Sequence, residues 1–373
     1  MKRVLVLGST GTIGQAALDV IRAHPERYSV VGLSAHTGTK TLLEQAQALG
    51  VKRLALTGAE AGPEFLTGPD AAVKLVQATE PDIVLNGIAG AAGFLPSLAT
   101  VRMGATLALA NKESLVVGGK FIRATAQKSG ATIIPVDSEH SAVFQCLQGE
   151  RHEDIKRIIL TASGGPFYER PLETFGTITP AEALNHPVWR MGPRITIDSA
   201  TMMNKGLEII EAAWLFDLPE DRIDVCIHPQ SIIHSLVEFK DTGLKAQLSL
   251  PDMRLPIAVA LAWPERIDLT LPRLDFSTMP ALTFCPPDES KFRAMGIARW
   301  ALSRPETAPC IMNAADEVAI KAFLDRRIPF NRITDVVEKT LETLWEEQIA
   351  APEDLLDLDR KARGITEGLL SCS

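Results

Sequence analysis

The sequence predicts an α/β protein with three parts: an N-terminal domain built on a parallel sheet, a central α+β domain and a C-terminal helical bundle. Through the first 140 residues, short aliphatic runs alternate with amphipathic helical segments, as they do in consecutive βαβ units. Beyond residue 150, some strand-like runs alternate apolar and polar residues, a pattern typical of half-buried antiparallel strands. From Lys291 onward the pattern is almost wholly helical.

The N-terminal strands are predicted from continuous aliphatic runs, because the strands of a parallel sheet are covered on both faces. These runs span residues 4–7, 29–33, 54–56, 83–85, 106–109 and 132–136. Residues 12–22 and 41–49 carry apolar side chains at three- and four-residue spacing, which predicts two of the intervening helices.

The remaining chain contains four further strand-like runs and two long irregular stretches. The runs span residues 155–160, 223–227, 232–239 and 244–250. A Gly- and Pro-rich loop is expected at 163–193, and a connection of that length is usually functional. A Pro-rich linker is expected at 264–287, and prolines 305, 309, 329 and 352 separate the helical segments of the tail. We therefore expect domains at 1–149, 150–285 and 286–373.

Composition excludes several classes of protein. The 373 residues include 38 Lys and Arg against 46 Asp and Glu, a net charge of −8 that argues against a nucleic-acid-binding protein. The five cysteines are scattered singly, which fits a reducing compartment better than a disulfide framework. They are Cys146, Cys226, Cys285, Cys310 and Cys372.

Neither a secretion signal nor a membrane span is expected. The apolar run near the start stops at Gly8, short of the ~7 residues that a signal peptide needs. No stretch approaches the ~18 apolar residues of a transmembrane helix. We expect a cytoplasmic protein without a membrane partner.

A glycine loop follows the first predicted strand and precedes the first predicted helix. It reads Gly8, Ser9, Thr10, Gly11, Thr12, Ile13 and Gly14. Glycines there allow a tight turn and let the backbone approach a pyrophosphate at the helix N-terminus, which indicates a Rossmann-like dinucleotide site. A tight strand-to-helix turn without a ligand is the alternative.

The end of the second strand indicates which dinucleotide is preferred. An NAD site usually has an acidic residue there to bind the ribose hydroxyl. Residues 33–40 contain no acid, and His36, Thr37, Thr39 and Lys40 suit a 2′-phosphate better. The sequence therefore favours NADP(H) over NAD(H).

Two acidic groups suggest a metal site. Asp137, Ser138, Glu139 and His140 follow an apolar strand, and ligands of open α/β sheets gather at the carboxyl ends of strands. Two carboxylates one residue apart on a turn can converge on Mg²⁺ or Mn²⁺. Asp137 or Ser138 could instead simply cap a helix at 141–147.

A second acidic site begins with a polar turn at Asp198. Asn204, Lys205 and Glu208 share one face of the helix that follows and ends near Phe216. Ser199, Asn204 and Lys205 at a helix start would form a phosphate cradle, and Glu208 could complete a metal site beside it. A capped helix with an ordinary Lys–Glu surface pair is the alternative.

Three other polar clusters lie on predicted loops. Ser163 precedes two glycines whose backbone amides suit an anion. His186 lies on the long loop, where it could belong to a lid or be a solvated residue. Asn111, Lys112 and Glu113 follow a strand and could be part of a site or only cap a helix.

Together these motifs identify a resemblance. GSTGTIG, LANKESLV, PVDSEH, SGGPF, HPVWRMG, DSATMMNKGLE and HPQSIIHS occur in order, and Asn313 to Glu317 extend the match into the tail. Over essentially its whole length, the chain resembles the 1-deoxy-D-xylulose 5-phosphate reductoisomerases. These are NADPH- and divalent-metal-dependent enzymes of non-mevalonate isoprenoid synthesis. The resemblance implies rearrangement and reduction of that sugar phosphate to 2-C-methyl-D-erythritol 4-phosphate, in a homodimer.

The resemblance also implies roles for individual residues. Asp137, Glu139 and Glu208 would ligate Mg²⁺ or Mn²⁺, with Co²⁺ as a third choice. Ser163, Ser199, Asn204 and Lys205 would hold the phosphate, with His186 close by. Lys112 and Ser138 would contact the substrate, and Lys112, Glu139 and His186 would be catalytic. Gly8, Ser9, Thr10, Gly11, Thr12, Ile13, Asn111, Glu113 and Gly192 would bind NADPH. Trp189 and Met191, on the loop at 163–193, would shield the reaction from water.

One departure from the family concerns the cofactor. Relatives often carry a glycine, a basic residue and an asparagine where this chain has Ala35, His36, Thr37 and Gly38. No residue is therefore assigned to the 2′-phosphate. Two other functions are weighed against the reductoisomerase: an NADP-dependent semialdehyde or polyol dehydrogenase that needs no metal, and a regulatory protein that senses NADP without turning it over.

Overall fold

The computed structural model describes residues 1–186 and 192–371, which form two compact units. The first comprises Met1–Ser114, Lys120–Ser141 and Asp252–Leu271, and the second comprises Leu115–Gly119, Ala142–Pro251 and Pro272–Ser373. Part of the segment expected in the central domain thus belongs to the first unit. The division into three domains at 149 and 285 stays a prediction.

The first unit is built on a seven-stranded parallel sheet in the order β4-β3-β2-β1-β5-β6-β7. Its strands are β1 Lys2–Leu7, β2 Tyr28–Ala35, β3 Leu54–Leu56, β4 Phe65–Thr67, β5 Ile83–Asn86, β6 Thr106–Leu109 and β7 Ile133–Pro135. All residues of β3 and β5 are buried, as expected for strands covered on both faces. The strand order reverses at β1 and β5, where such sheets place their ligands. The α/β, Rossmann-like fold class is thereby confirmed.

Five helices lie largely in the first unit, and a sixth begins in that unit and continues into the second. They are α1 Thr12–Ala23, α2 Thr39–Leu49, α3 Ala71–Thr79, α4 Phe94–Arg102, α5 Glu113–Ser129 and α6 Ser138–Cys146. Helix α1 buries Gly14, Ala17, Leu18 and Ile21, the three- and four-residue spacing that predicted it. Strand β4 was missed because its apolar run is only Phe65 and Leu66, too short to distinguish from a loop.

The second unit contains a four-stranded mixed sheet in the order β11-β10-β8-β9. Its strands are β8 Ile155–Ala162, β9 Ile223–Ile227, β10 Ile233–Phe239 and β11 Leu244–Leu248. Strand β10 runs antiparallel to both β8 and β11, as the alternating pattern predicted, whereas β8 and β9 are parallel. All four predicted strands are present, with small differences at their ends.

Eight more helices follow in chain order. They are α7 Pro180–Ala183, α8 Pro193–Thr201, α9 Met203–Phe216, α10 Arg254–Ala262, α11 Ala294–Leu302, α12 Ala308–Leu324, α13 Arg332–Leu344 and α14 Leu355–Ser371. Helix α10, which the sequence interpretation did not include, belongs to the first unit. Helices α11 to α14 confirm the helical tail, and Pro309 lies in the first turn of α12, where proline is tolerated. No helix in the described part of the chain is long and apolar enough to cross a membrane.

Two predictions about the central part were wrong in detail. The loop expected at 163–193 contains the 3-10 segment Leu172–Thr177 and helix α7. Thr179 and Glu182 form a capping box around Pro180. This local signal for a helix start outweighs the tendency of the nearby Gly and Pro residues to form a loop. Asp198 does not lie in a polar turn: it is in α8, and Met202, with a φ of 64°, separates α8 from α9.

Candidate functional site

The glycine loop forms a close-packed turn between β1 and α1. Gly8 has a φ of 73°, and a Cβ there would lie 2.7 Å from the Gly87 carbonyl oxygen. A Cβ on Gly14 would overlap the Gly8 carbonyl, so only glycine lets α1 begin this close to the turn. The N-cap is Gly11, which has no side chain, and both Gly11 and Thr12 are exposed. The amino end of α1 can therefore face an anionic ligand.

Ser9 is buried, and its hydrogen bonds stabilise this loop. Its hydroxyl donates to Gln45 Oε1 at 2.7 Å, and Gln45 Nε2 donates to the Ser9 carbonyl at 2.9 Å. The Gly8 amide donates to Ser34 Oγ at 3.1 Å. Any contact between Ser9 and a dinucleotide would thus come from its backbone. Gln45 was missed by sequence reasoning, and no local signal could link residues 36 positions apart.

Asn111 and Glu113 form a second polar cluster at the carboxyl end of β6. Asn111 Nδ2 donates to the Gly90 carbonyl at 3.0 Å and to Glu113 Oε2 at 2.9 Å, and the Gly90 amide donates to Glu113 Oε1 at 3.1 Å. Ser114 Oγ also donates to Asn111 Oδ1. The cluster connects the start of α5 to the loop that follows β5. Strand β5 lies beside β1 in the sheet.

Asp137 lies between Lys112 and His140 beyond the end of β7. Lys112 Nζ is 2.6 Å from Asp137 Oδ2, and His140 Nδ1 is 2.8 Å from Oδ1. Burial raises the pKa of Asp137, but the charges of Lys112 and His140 and their hydrogen bonds outweigh it and hold this pKa well below its usual value. Asp137 is therefore a carboxylate at neutral pH. His140 lay within a motif noted in the sequence but had no assigned role.

The capping alternative for this motif describes the structure as well. Helix α6 begins at Ser138 rather than at Ser141, and Asp137 Oδ1 accepts from the Glu139 amide at 3.1 Å. Ser138 Oγ donates to Glu139 Oε2 at 2.8 Å. The cap orients both carboxylates at the same helix start, so capping and ligand binding are compatible.

In the second unit, Ser163 and His186 lie together at the end of β8. Ser163 Oγ is 3.3 Å from His186 Nε2 and accepts from the Gly165 amide at 3.3 Å. Burial lowers the pKa of His186, which favours the neutral imidazole. A Cβ on Gly165 would lie 2.5 Å from the Ser199 carbonyl oxygen, so this loop packs directly against the last turn of α8.

Asn204, Lys205 and Glu208 form one cluster on α9. Asn204 Nδ2 donates to Glu208 Oε1 at 2.6 Å, and Lys205 Nζ pairs with Glu208 Oε2. Lys205 also donates to the Thr161 carbonyl at 2.6 Å, which fixes the ammonium group at the end of β8. Lys205 and Glu208 are buried, so the surface-pair alternative is wrong for them.

The chemistry of each unit fits a different part of the predicted site. The first offers a glycine turn for a dinucleotide and the carboxylates of Asp137 and Glu139, hard oxygen donors that suit Mg²⁺ or Mn²⁺. The second offers Lys205 with hydroxyl, amide and imidazole groups, which suit a phosphate, and the Glu208 carboxylate. Gly192 is the N-cap of α8. Trp189 and Met191 lie outside the described residues.

Comparisons with known proteins show which family this chain is similar to. Sequence profiles described as 1-deoxy-D-xylulose 5-phosphate reductoisomerase and as two C-terminal domains of that enzyme match residues 4–119, 133–216 and 248–365. The reductoisomerase of Chlorobium phaeobacteroides strain DSM 266 is 44% identical, with 99% of each chain covered. That of Paraburkholderia xenovorans is 48% identical, with 97% of this chain and 94% of the relative covered.

Solved structures match over the same length. The reductoisomerase of Zymomonas mobilis in complex with NADPH aligns with a TM-score of 0.91 at 40% identity, with 99% of each chain covered. A reductoisomerase in complex with NADPH, fosmidomycin and magnesium aligns with a TM-score of 0.93 at 37% identity, covering 100% of this chain and 98% of the other. The chain belongs to the 1-deoxy-D-xylulose 5-phosphate reductoisomerase family.

Proposed function

We propose that this chain converts 1-deoxy-D-xylulose 5-phosphate to 2-C-methyl-D-erythritol 4-phosphate with NADPH and a divalent cation, as a step of non-mevalonate isoprenoid precursor synthesis. One observation carries the proposal. Asp137 is held as a carboxylate by Lys112 at the end of β7, in the same parallel sheet that presents the glycine turn after β1. A cation-binding group and a dinucleotide-binding turn on one sheet edge suit a metal-dependent reduction.

The dinucleotide belongs in the first unit. The amino end of α1, with Gly8, Ser9, Thr10, Gly11, Thr12 and Ile13, would face the pyrophosphate. Asn111, Glu113 and Gly192 would also contact the cofactor, as the family resemblance implies. NADPH supplies the hydride that reduces the rearranged aldehyde. The lack of an acid at residues 33–40 supports NADPH over NADH.

The cation is assigned to the carboxylates of Asp137, Glu139 and Glu208, as the family resemblance implies. Their oxygen atoms suit Mg²⁺, Mn²⁺ or Co²⁺. When bound, the cation supplies Lewis acidity to the carbonyl and hydroxyl oxygens of the substrate during the rearrangement. Lys112 would keep Asp137 ionised for this role and contact the substrate together with Ser138.

The phosphate belongs in the second unit. Ser163, Ser199, Asn204 and Lys205 supply hydroxyl, amide and ammonium donors, and the ammonium of Lys205 is positioned by the Thr161 carbonyl. His186, neutral and beside Ser163, would close the cradle on one side. Fixing the phosphate there would orient the carbon skeleton for the reaction, since much of a barrier can be removed by positioning.

The decisive experiment follows NADPH absorbance with 1-deoxy-D-xylulose 5-phosphate, first with Mn²⁺ and then with excess chelator. We expect oxidation of NADPH that needs the metal and stops with the chelator. Oxidation that survives the chelator would remove the metal role and favour a plain dehydrogenase. Folded protein that binds NADPH but oxidises none of it would contradict the proposal and favour a sensor.

Two further properties are part of the proposal. The single scattered cysteines fit a cytoplasmic protein, and the family resemblance implies a homodimer. The expected partner is a small phosphorylated sugar, with no nucleic-acid or membrane partner.

A further inference from the structure

A partly buried polar network in the second unit has no part in the proposed chemistry. It starts at Arg194 in the first turn of α8, the helix whose N-cap is Gly192 and whose last turn contains Ser199. Arg194 Nη1 donates to Glu317 Oε1 at 2.7 Å, and Nη2 donates to Asn313 Oδ1 at 2.7 Å. Both acceptors are on α12, so one guanidinium group joins the two helices by a pair of bonds.

The network continues from α12 to α14. Arg363 Nη2 donates to Glu317 Oε2 at 2.6 Å. The same guanidinium binds Asp359 with two bonds, of 2.6 and 3.0 Å. Glu317 thus uses one oxygen for each arginine, which connects α8 through α12 to α14. Such paired arginine–carboxylate bonds fix geometry as well as adding free energy.

Two more carboxylates lie beside Arg194. Asp316 Oδ2 is 3.7 Å from Nη2, and Asp198 Oδ2 is 3.7 Å from Nε. Both acids are almost fully buried. Burial, followed by the negative charge of Asp198, raises the pKa of Asp316 well above its usual value, although Arg194 opposes the change. Asp316 therefore keeps its proton to a higher pH than an ordinary aspartate does, which reduces the excess of negative charge around the two arginines.

We propose that Arg194 is a positioning residue that holds the Ser199 end of α8 in register with the phosphate cradle by docking α8 on α12. Arg194 and Ser199 are five residues apart on one rigid helix, a rise of about 7.5 Å. A shift at the Arg194 end therefore moves Ser199 as well. The inference rests on the proposed phosphate role of Ser199.

The backbone around Ser199 makes such a shift costly for binding. The Gly165 backbone packs against the Ser199 carbonyl with no room for a Cβ, and the Gly165 amide donates to Ser163 Oγ. Ser163 in turn lies beside His186. Movement of α8 would disturb three of the proposed phosphate-binding groups together, and a displacement of about 1 Å can cost up to about 100-fold in rate.

The test compares Arg194→Met with the matched control Arg327→Met. Arg327 likewise donates two hydrogen bonds, in its case both to Glu367 of α14, but it is exposed and joins α14 to the turn after α12. For Arg194→Met we expect a roughly 10- to 100-fold rise in the KM for 1-deoxy-D-xylulose 5-phosphate and in the Kd for inorganic phosphate. Arg327→Met should leave the substrate KM, the phosphate Kd and the NADPH Kd within about twofold of the wild-type values.

Two milder variants keep the test decisive if Arg194→Met does not fold. Arg194→Lys retains the positive charge but loses the two-donor geometry of the guanidinium. Glu317→Gln retains the size of the acceptor but removes its charge. Both variants should raise the substrate KM by at least about threefold. Folded Arg194→Lys and Glu317→Gln proteins with wild-type KM and phosphate Kd would overturn the inference. If the wild-type protein does not turn over the sugar phosphate, the proposed function fails, while the phosphate Kd still decides the role of Arg194.

Discussion

Asp137 illustrates how single side chains set up this site. It is largely buried, yet Lys112 and His140 each lie within hydrogen-bond distance of one of its oxygens. A buried carboxylate without such partners would take up a proton, whereas this one stays ionised. The group is therefore available to a cation without a prior loss of a proton, which is what metal ligation requires.

The first prediction concerns this carboxylate. Asp137→Asn keeps the shape of the side chain but removes its charge, so the Mn²⁺ affinity should fall by at least about 100-fold. Titration calorimetry with Mn²⁺ in the presence of NADPH measures the change. Asp70→Asn is the control, because Asp70 is an exposed acid of the same unit whose carboxylate pairs with Lys74 on the surface. Equal Mn²⁺ affinity in both variants would show that Asp137 is not a ligand.

The second prediction concerns Gly14. Its replacement by Ala should raise the NADPH Kd by more than about tenfold and lower the free energy of unfolding by about 1–3 kcal/mol, because the added Cβ overlaps the Gly8 carbonyl. Gly296→Ala is the control: it lies in helix α11, and a Cβ there would meet no atom within 4 Å. That change should be neutral or stabilising by up to about 1 kcal/mol. Fluorescence titration and urea denaturation measure both quantities, and an unaffected Gly14→Ala protein would contradict the tight turn.

Helices α8 and α9 show how a break between elements creates a site. Met202 adopts a left-handed conformation, with a φ of 64°, and ends α8 before α9 begins at Met203. The sequence interpretation placed Ser199 at the start of a single helix together with Asn204 and Lys205. In the structure, Ser199 is supplied by the end of one helix and the other two residues by the start of the next. The proposed cradle therefore depends on how both helices pack.

The third prediction concerns the contact between α8 and α12. The pKa of Asp316 is raised in the folded state, so between about pH 4 and that raised pKa the folded protein binds more protons than the unfolded chain. The free energy of unfolding should therefore fall as pH rises across this window. The Asp316→Asn substitution removes this loss of stability. The free energy of unfolding of the variant, relative to that of wild type, should therefore rise by up to about 1.4 kcal/mol per pH unit.

Urea denaturation at several pH values between 4 and 8 tests this. Asp221→Asn, an exposed change in the same unit, should give a curve parallel to that of the wild-type protein. Asp316→Asn should diverge from both as pH rises. A constant difference between Asp316→Asn and wild type would mean that Asp316 is ionised in the folded protein throughout the range.

The assembly of the chain gives the fourth prediction. Light scattering on the purified protein should give twice the 40.4 kDa of a single chain, as expected for the proposed homodimer. The measurement should be repeated with NADPH and Mg²⁺ to see whether ligands change the mass. A mass of one chain at micromolar concentration would contradict the dimer without affecting the proposed reaction.

Local pattern was enough to predict most of the secondary structure. Aliphatic runs predicted six of the seven strands in the parallel sheet, and helical spacing predicted α1 and the helical tail. The glycine turn and the acidic motif at 137–140 could also be placed at strand ends. These features depend on neighbours within a few residues, which is the range that periodicity and capping report.

Contacts between distant residues could not be read in this way. Ser9 binds Gln45 across 36 positions, Lys112 binds Asp137 across 25, and Arg194 binds Glu317 across 123. No periodicity links such pairs, because packing of whole elements brings them together. The sequence alone thus established the fold class, the glycine turn and the candidate ligands. Tertiary packing decided which carboxylate stays ionised, which lysines are buried and what holds α8, since burial and charge pairing are properties of the folded chain.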